Sequence, residues 1–243
     1  MEFTNELLKI LKNQFGHSQF RFEQEKIIHS IVSGNDTLAI MPTGGGKSLC
    51  YQLPAVFKGG LTIVISPLIS LMQDQVSNLE QYQIPCAYYN STLSLEQKQQ
   101  LQRDLLNHHI KVLYIAPEGI LTPYMLGFLK QVNISLFAID EAHCVSQWGH
   151  EFRQEYIRLG ILKEEFPTVP TIALTATADK KTQSDICKQL KLSSPNVFVS
   201  SFDRPNIRYT IVERHKEIDQ LCRFIDKHHS EDTGIIYCLS RKK

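Results

Sequence analysis

Short apolar runs alternate with longer segments of helical spacing along most of the chain. The apolar runs lie at residues 37–41, 61–65, 112–116, 136–139, 171–174 and 197–199. They show little alternation of polar and apolar positions, which is typical of parallel strands buried on both faces. The segments between them, such as 95–106 and 179–190, have helical spacing. The pattern predicts an α/β doubly wound fold, with a mostly parallel sheet and helices on both faces.

Two helices are predicted before the alternation begins. Thr4 is placed to cap a helix that carries Leu7, Leu8 and Leu11. A second helix starts at about Glu23 and ends before Gly34.

A polar, turn-forming segment at residues 201–206 interrupts the pattern, which then restarts. Residues 207–212 and 234–239 are predicted strands, and residues 218–225 are a predicted helix. One strand–helix–strand unit of this length cannot bury its own apolar faces. We therefore predict a domain over residues 1–206 and the incomplete, truncated start of a second α/β domain over residues 207–243.

Composition and charge narrow the class of protein. Of the 243 residues, 42% are hydrophobic and 21% are charged, as in globular proteins. Lys and Arg total 26 against 25 Asp and Glu, so a nucleic acid would have to be held by local groups. The longest uncharged stretch, residues 59–73, falls short of the roughly 20 apolar residues of a membrane-spanning helix. We expect no membrane association.

The N-terminus and the cysteines bear on location and metal content. Residues 1–6 are acidic where a signal peptide is basic, which predicts a cytoplasmic protein. The six cysteines stand singly, without a C-x-x-C pair. We therefore expect buried thiols and no zinc.

A glycine-rich segment joins the first apolar run to a helix. It consists of Met41, Pro42, Thr43, Gly44, Gly45, Gly46, Lys47 and Ser48. Glycines let backbone amides approach phosphate oxygens, and the following helix N-terminus favours negative charge. Lys47 is predicted to contact the β- and γ-phosphates, and Ser48 to bind Mg²⁺. The strict pattern has Gly where Met41 stands, and a simple glycine-rich turn is the alternative.

Two acids emerge at the end of a predicted strand. Asp140 and Glu141 follow residues 136–139, where ligands bind in open α/β sheets. Asp140 is a candidate Mg²⁺ ligand, and Glu141 is a candidate for orienting and deprotonating water. Alone these acids would be a solvated turn. Together with the glycine-rich loop they predict nucleotide hydrolysis.

Two further signals are weaker. Gln24, beside Arg21, carries an amide able to bond bidentately to adenine, although a surface Gln in a first helical turn is the alternative. Thr175 and Thr177 end another predicted strand near the same sheet edge, where turn capping is an equal interpretation.

The order of these motifs resembles superfamily 2 helicases. The strings at residues 44–52 and 142–153, together with Ser-Phe-Asp-Arg-Pro-Asn at 201–206, resemble RecQ DNA helicases in particular. The resemblance implies a RecA-like lobe of the P-loop NTPase class with the start of a second RecA-like lobe, and the cofactors ATP and Mg²⁺. It also assigns His143 to the catalytic Asp-Glu-Ala-His box. His17 occupies the place of an adenine-stacking aromatic residue in relatives, and Phe22 and Glu23 replace a more usual Pro-Gly.

Aromatic and basic residues follow the acidic box within a few positions. Trp148, His150, Phe152 and Arg153 offer stacking faces and a guanidinium, which suit single-stranded DNA. Base–aromatic stacking contributes about 1–3 kcal/mol per base. A core tryptophan is the alternative. In RecQ relatives the similar segment links DNA contact to hydrolysis.

The resemblance implies an ATP-dependent helicase that translocates 3′ to 5′ on single-stranded DNA and unwinds duplex DNA in repair and recombination. It would act at the nucleoid in a bacterium or in the nucleus of a eukaryote. The isolated chain is expected to be nearly inactive, because the arginine of the second lobe is missing. One alternative is a nucleotide-dependent module that binds DNA or a partner without turnover. Another is an RNA helicase, which the tryptophan string disfavours.

Overall fold

The chain divides into two units, Met1–Phe202 and Asp203–Lys243, that differ in how much apolar side chain they bury. The structure is a computed structural model and describes residues 3–147, 152–200 and 207–238. The two units are described separately.

A parallel sheet forms the centre of the first unit. Its strands, within the described residues, are β1 (Thr37–Ile40), β2 (Leu61–Ile65), β3 (Cys86–Tyr89), β4 (Val112–Ile115), β5 (Ile134–Ile139), β6 (Thr171–Thr175) and β7 (Asn196–Val199). They lie in the order β3-β4-β2-β5-β6-β1-β7, and every pair is parallel. The carboxyl ends of β1, β6, β5 and β2 therefore meet at one edge, where ligands bind in open sheets. The predicted α/β class is confirmed.

Helices cover both faces of this sheet. In the first unit they are α1 (Thr4–Phe15), α2 (Gln24–Val32), α3 (Leu49–Phe57), α4 (Ile69–Gln81), α5 (Leu95–Leu106), α6 (Pro117–Ile120), α7 (Pro123–Leu129), α8 (Gln154–Arg158), α9 (Ile161–Glu165) and α10 (Lys180–Gln189), with a 3₁₀ helix at Ala142–Val145. Among the helices described, none is long and apolar enough to cross a membrane.

Alternate residues of strands β1 to β6 enter two apolar clusters. In β5, Leu136 and Ala138 join the cluster that α1 to α4 cover, whereas Phe137 and Ile139 join the cluster that α5 to α10 cover. This alternation follows from the two-residue period of a strand. Because both faces are covered, the central strands are apolar at nearly every position.

A buried carboxylate joins three strands at the amino edge of the sheet. Asp36, which precedes β1, is only 4% exposed. Its oxygens accept hydrogen bonds from Lys163 Nζ at 3.0 Å, Thr171 N at 2.9 Å and Ser193 N at 2.7 Å. Lys163 also donates to Val169 O at 3.0 Å. These bonds connect the starts of β1 and β6 to the segment that leads into β7.

Two local predictions for the first unit are wrong, and one strand was not predicted. Thr4 does not cap α1, because Phe3 occupies the cap position and the Thr4 hydroxyl lies 3.1 Å from His29 Nε2. β7 is not buried on both faces, because it is an edge strand and Val197 and Val199 are exposed. The edge strand β3 was not predicted. Its four residues are only partly buried, and edge position weakens the apolar signal.

The second unit contains the predicted helix but not the predicted strands. Helix α11 spans Glu217–His228, and none of its residues is buried. Residues 207–212 and 234–238 have no strand structure, and Leu239 lies outside the described residues. Strands need a hydrogen-bonded neighbour, and no two segments of residues 207–238 pair. Ile211 is 97% exposed accordingly.

Candidate active site

The glycine-rich loop lies between the carboxyl end of β1 and the start of α3. Gly45 N donates to Pro42 O at 2.9 Å and closes the loop. Gly44 and Gly46 have φ values of +79° and +78°, a region that favours glycine. Thr43, Gly44 and Gly46 are exposed. The loop thus presents backbone to solvent at the sheet edge where the sequence predicts phosphate binding.

Gln24 of α2 packs directly against this loop. Its Nε2 donates to Gly46 O at 3.1 Å and to Gly45 O at 3.4 Å, and its Oε1 accepts from Arg21 N at 2.8 Å. A Cβ at position 46 would lie 2.3 Å from Nε2, so a larger residue there would displace the Gln24 amide from the loop. The amide is buried and bonded to the loop, whereas Arg21 and His17 are exposed. Adenine recognition by these three residues stays a prediction.

Lys47 and Ser48 stand at the junction of the loop and α3. The Lys47 ammonium donates to Met41 O at 3.3 Å. Ser48 occupies the N-cap position of α3 with helical backbone angles and no side-chain capping bond. Both side chains are partly exposed. They are therefore placed at a helix N-terminus, where backbone N–H groups favour an anion.

Asp140 ends β5 two strands away from β1. Its backbone N donates to Ile65 O at 2.9 Å, and its carboxylate accepts from Glu141 N at 3.0 Å. Tyr156 donates its hydroxyl to the Asp140 carbonyl at 3.1 Å. Burial, and then the neighbouring Glu141 charge, raise the pKa of Asp140 to about 6, although nearby Lys47 acts in the opposite direction. The carboxylate is thus buried beside a like charge, and both conditions favour its protonated form.

Glu141 and His143 form an ion pair on the turn that follows. Glu141 has a φ of +48°, an uncommon value for a residue other than glycine. His143 Nδ1 lies 3.2 Å from Glu141 Oε2 and 2.9 Å from Thr175 Oγ1 at the end of β6. Contacts with the Cys144 sulfur and with the Glu141 carboxylate raise the pKa of His143 to about 10. The hydrogen bond from His143 lowers the pKa of Glu141. Both groups are therefore ionised at neutral pH.

The donor set at this edge fits a magnesium ion. Mg²⁺ in nucleotide sites takes hard oxygen ligands from one or two protein residues, and phosphates and water complete its shell. The Ser48 hydroxyl and the Asp140 carboxylate are ligands of this type. Within the described residues there is no group of three or more His, Cys, Asp and Glu placed to hold a metal alone.

Of the four candidate DNA-contacting residues, Trp148 and His150 lie outside the described residues. Phe152 is 38% exposed. Arg153 donates from Nη1 to Pro67 O at 3.1 Å, and its backbone N donates to Cys144 O at 2.9 Å. The structure thus ties Arg153 to the segment after β2, a contact that the sequence did not predict.

Sequence reasoning also missed a buried polar group beneath the phosphate loop. Tyr51 and Gln52 of α3 contact Tyr114 of β4, and Gln52 also contacts Gln75 of α4. The two α3 residues stood within the string that resembles RecQ helicases, so a signal was present.

A family model matches the part of the chain that carries these residues. The sequence profile of the DEAD/DEAH box helicase family matches residues 21–186. These residues include the glycine-rich loop, the Asp-Glu-Ala-His box and Thr175. The chain belongs to the DEAD/DEAH box helicase family.

Curated relatives narrow the similarity to RecQ helicases. The chain is 51% identical to the ATP-dependent DNA helicase RecQ of Pasteurella multocida, over 97% of this chain and 37% of that protein. It is 44% identical to the RecQ-like DNA helicase BLM of Xenopus laevis, over 98% of this chain and 18% of that protein. The RecQ resemblance is confirmed. The chain spans well under half the length of either relative.

A solved structure supports the fold independently. The DUF1998 helicase MrfA matches with a TM-score of 0.73 at 17% identity, over 97% of this chain and 38% of that protein. At this identity the match establishes the helicase fold alone.

Proposed function

We propose that this chain is the nucleotide-binding part of a RecQ-like ATP-dependent DNA helicase. The observation that carries the proposal is the convergence of three elements at one sheet edge. The glycine-rich loop follows β1, Asp140 and Glu141 follow β5, and Thr175 ends β6 in contact with His143. Adjacent carboxyl ends of parallel strands bring a phosphate site and carboxylates together, which is the arrangement that phosphoryl transfer needs.

Each residue of the site has a proposed role in nucleotide binding or hydrolysis. Loop amides and Lys47 bind the β- and γ-phosphates, while Ser48 and Asp140 hold Mg²⁺. When bound, this ion neutralises charge on the phosphate oxygens. Glu141 orients the attacking water, and its ionised state leaves it able to accept a hydrogen bond from that water. His143 holds the Glu141 carboxylate and links it to Thr175. Arg21, Gln24 and His17 are the residues proposed to contact the adenine.

DNA is the proposed partner, as a single strand for translocation and as a duplex for unwinding. Phe152 is exposed and supplies a stacking face, and Arg153 is placed beside the segment after β2. Trp148 and His150 complete the proposed DNA-contacting set. The proposed whole-protein activity, 3′-to-5′ unwinding in repair and recombination, rests on the RecQ resemblance, and the RecQ relatives named above are longer than this chain.

Hydrolysis by the isolated chain is proposed to be slow. In related enzymes a cationic finger contributes about 10³- to 10⁵-fold to the rate. The RecQ resemblance assigns such an arginine to a second lobe. An extended chain that carries a complete second lobe is therefore expected to hydrolyse ATP faster and to respond to single-stranded DNA.

The test of nucleotide binding is the Lys47→Ala variant. Loss of the charge-assisted phosphate contact is expected to weaken Mg·ATP binding by about 1.5–3 kcal/mol, or about ten- to a hundredfold. Titration with a fluorescent ATP analogue measures the change. The control is Lys12→Ala, which removes an exposed lysine from α1. Equal affinity of the two variants would contradict the assignment of the phosphate site.

A second candidate is a module that binds nucleotide and DNA without turnover. It is favoured by the second unit, because most of the apolar residues described there are exposed and could contact a partner. ATPase assays on this chain and on an extended chain separate the two proposals. An extended chain without DNA-stimulated turnover would support the module.

A further inference from the structure

A buried polar network lies beneath the phosphate loop. The Gln52 amide Nε2 donates to Tyr114 Oη at 3.3 Å and to Gln75 Oε1 at 3.2 Å. Tyr51 Oη lies 3.4 Å from Tyr114 Oη. Both amide hydrogens of Gln52 are thus used, one toward β4 and one toward α4. None of these four residues belongs to the proposed nucleotide-binding set.

This network is embedded in the apolar cluster that α1 to α4 share. Tyr51 and Tyr114 are each 1% exposed, and Gln52 is 6% exposed. Burial raises the pKa of Tyr114 to about 12 and that of Tyr51 well above its usual range, so both hydroxyls stay protonated. A buried polar group left without a partner costs about 1–3 kcal/mol. Apolar side chains would pack these helices equally well, so packing alone does not explain why the contacts are polar.

The two ends of the network lie beside the functional segments. Helix α3 begins directly after Ser48, and Tyr51 and Gln52 stand in its first turn. Helix α4 begins at Ile69, directly after Leu68, and Gln75 stands in its second turn. Among the described residues, the bond between Gln52 and Gln75 is the side-chain hydrogen bond that joins α3 to α4.

The segment at residues 66–69 is the far end of this connection. Pro67 O accepts the hydrogen bond from Arg153, one of the proposed DNA-contacting residues. Leu68 and Ile69 are 49% and 39% exposed. The segment is therefore bonded directly to Arg153. Through α4 and Gln75 it is also connected to α3, the helix that begins after Ser48.

We propose that Gln52 and Gln75, with Tyr51 and Tyr114, are positioning residues that couple the phosphate loop to residues 66–69. The proposal rests on the nucleotide-binding function proposed above. Ligand contact at Lys47 and Ser48 restrains the first turn of α3, and the Gln52–Gln75 bond passes this restraint to α4. A polar bond has a narrow range of distances and directions, so it transmits a small displacement that sliding apolar contacts would absorb.

Hydrogen exchange measured by mass spectrometry on the 243-residue chain tests the coupling. A non-hydrolysable ATP analogue with Mg²⁺ is expected to slow exchange about threefold or more both at residues 43–50 and at residues 66–73. The Gln75→Met variant keeps the side-chain length but removes the amide. It is expected to retain the slowing at residues 43–50 and to lose it at residues 66–73. Gln52→Met is expected to behave likewise.

The matched control is Gln102→Met. Gln102 of α5 also joins two helices, through a hydrogen bond of 2.8 Å to the exposed hydroxyl of Tyr124 on α7. Its variant is expected to retain nucleotide-dependent slowing at both segments. Because Gln75 is only partly buried, its variant remains informative if Gln52→Met does not fold.

The outcomes separate the two proposals. Equal slowing at residues 66–73 in the wild type and in Gln75→Met would overturn the coupling and leave nucleotide binding intact. The same conclusion follows if the wild type is slowed at residues 43–50 alone. Absence of slowing at residues 43–50 in the wild type would overturn the nucleotide-binding function and the coupling with it.

Discussion

Two buried or partly buried aspartates stand at opposite edges of the same sheet, and their partners differ. Asp36 at the amino edge accepts three hydrogen bonds, one of them from the Lys163 ammonium. Asp140 at the carboxyl edge accepts one, from Glu141 N, within the described residues. Its nearest acidic neighbour, Glu141, has the same charge.

The contrast indicates that Asp36 has a structural role, whereas Asp140 is available to bind a ligand. A buried charge is stable when hydrogen bonds and an opposite charge surround it. Asp36 meets this condition with protein groups alone. Asp140 accepts one hydrogen bond, and burial followed by the Glu141 charge raises its pKa to about 6, although Lys47 and His143 act in the opposite direction. Its oxygens can accept further contacts, which agrees with the proposed Mg²⁺ site.

The largest effect is expected for Asp36→Ala. This change leaves Lys163 as a buried charge and two backbone N–H groups without their partner. Breaking a buried pair in this way lowers the free energy of unfolding by about 3–5 kcal/mol. Urea denaturation followed by circular dichroism measures it. The double variant Asp36→Ala/Lys163→Met is expected to recover part of the loss, because no unpaired charge remains. A loss below about 1 kcal/mol in the single variant would remove the contrast between the two aspartates.

A smaller free-energy change, in binding rather than in folding, is expected for Asp140→Asn. The variant is expected to lose at least about tenfold in Mg²⁺-dependent nucleotide affinity, which is about 1.4 kcal/mol. Its free energy of unfolding at pH 7 is not expected to fall. Burial raises the pKa of Asp140, so the folded state favours the uncharged carboxyl that asparagine resembles. Titration with and without EDTA, combined with urea denaturation, measures both quantities.

The pH dependence of binding sharpens this test. In the wild type, Mg²⁺-dependent affinity is expected to fall as the pH drops through about 6, because a protonated carboxyl is a poor Mg²⁺ ligand. Asp140→Asn is expected to lack this step. Equal Mg²⁺-dependent affinity of wild type and variant at pH 7.5 would count against the proposed ligand.

The smallest effect is expected for an exposed pair with similar chemistry. Lys130 Nζ lies 2.6 Å from Glu165 Oε2, and both side chains contact solvent. Glu165→Gln is expected to lower the free energy of unfolding by less than about 1 kcal/mol, because water screens the pair. The same urea denaturation measures it. A loss as large as that of Asp36→Ala would mean that burial does not explain the contrast.

Much of the site could be predicted because its residues are adjacent in sequence. The glycine-rich loop and the Asp-Glu-Ala-His box each lie within a few residues after an apolar run. The contact between Gln24 and Gly46 joins positions 22 residues apart, and the contact between Arg153 and Pro67 joins positions 86 residues apart. No local sequence pattern indicates contacts between residues that lie so far apart in the chain. The network around Gln52 was missed for the same reason.

The sequence by itself determined most of the strands and helices of the first unit and their order, because a strand buried on both faces and an amphipathic helix each have a local hydrophobic period. It also determined the chemical groups at the sheet edge. Tertiary structure decided which buried carboxylate is fully bonded and which is not, because hydrogen-bond saturation depends on groups brought together from distant segments. It likewise decided that residues 207–212, apolar enough for a strand, form none, because a strand exists only when a second strand accepts its hydrogen bonds.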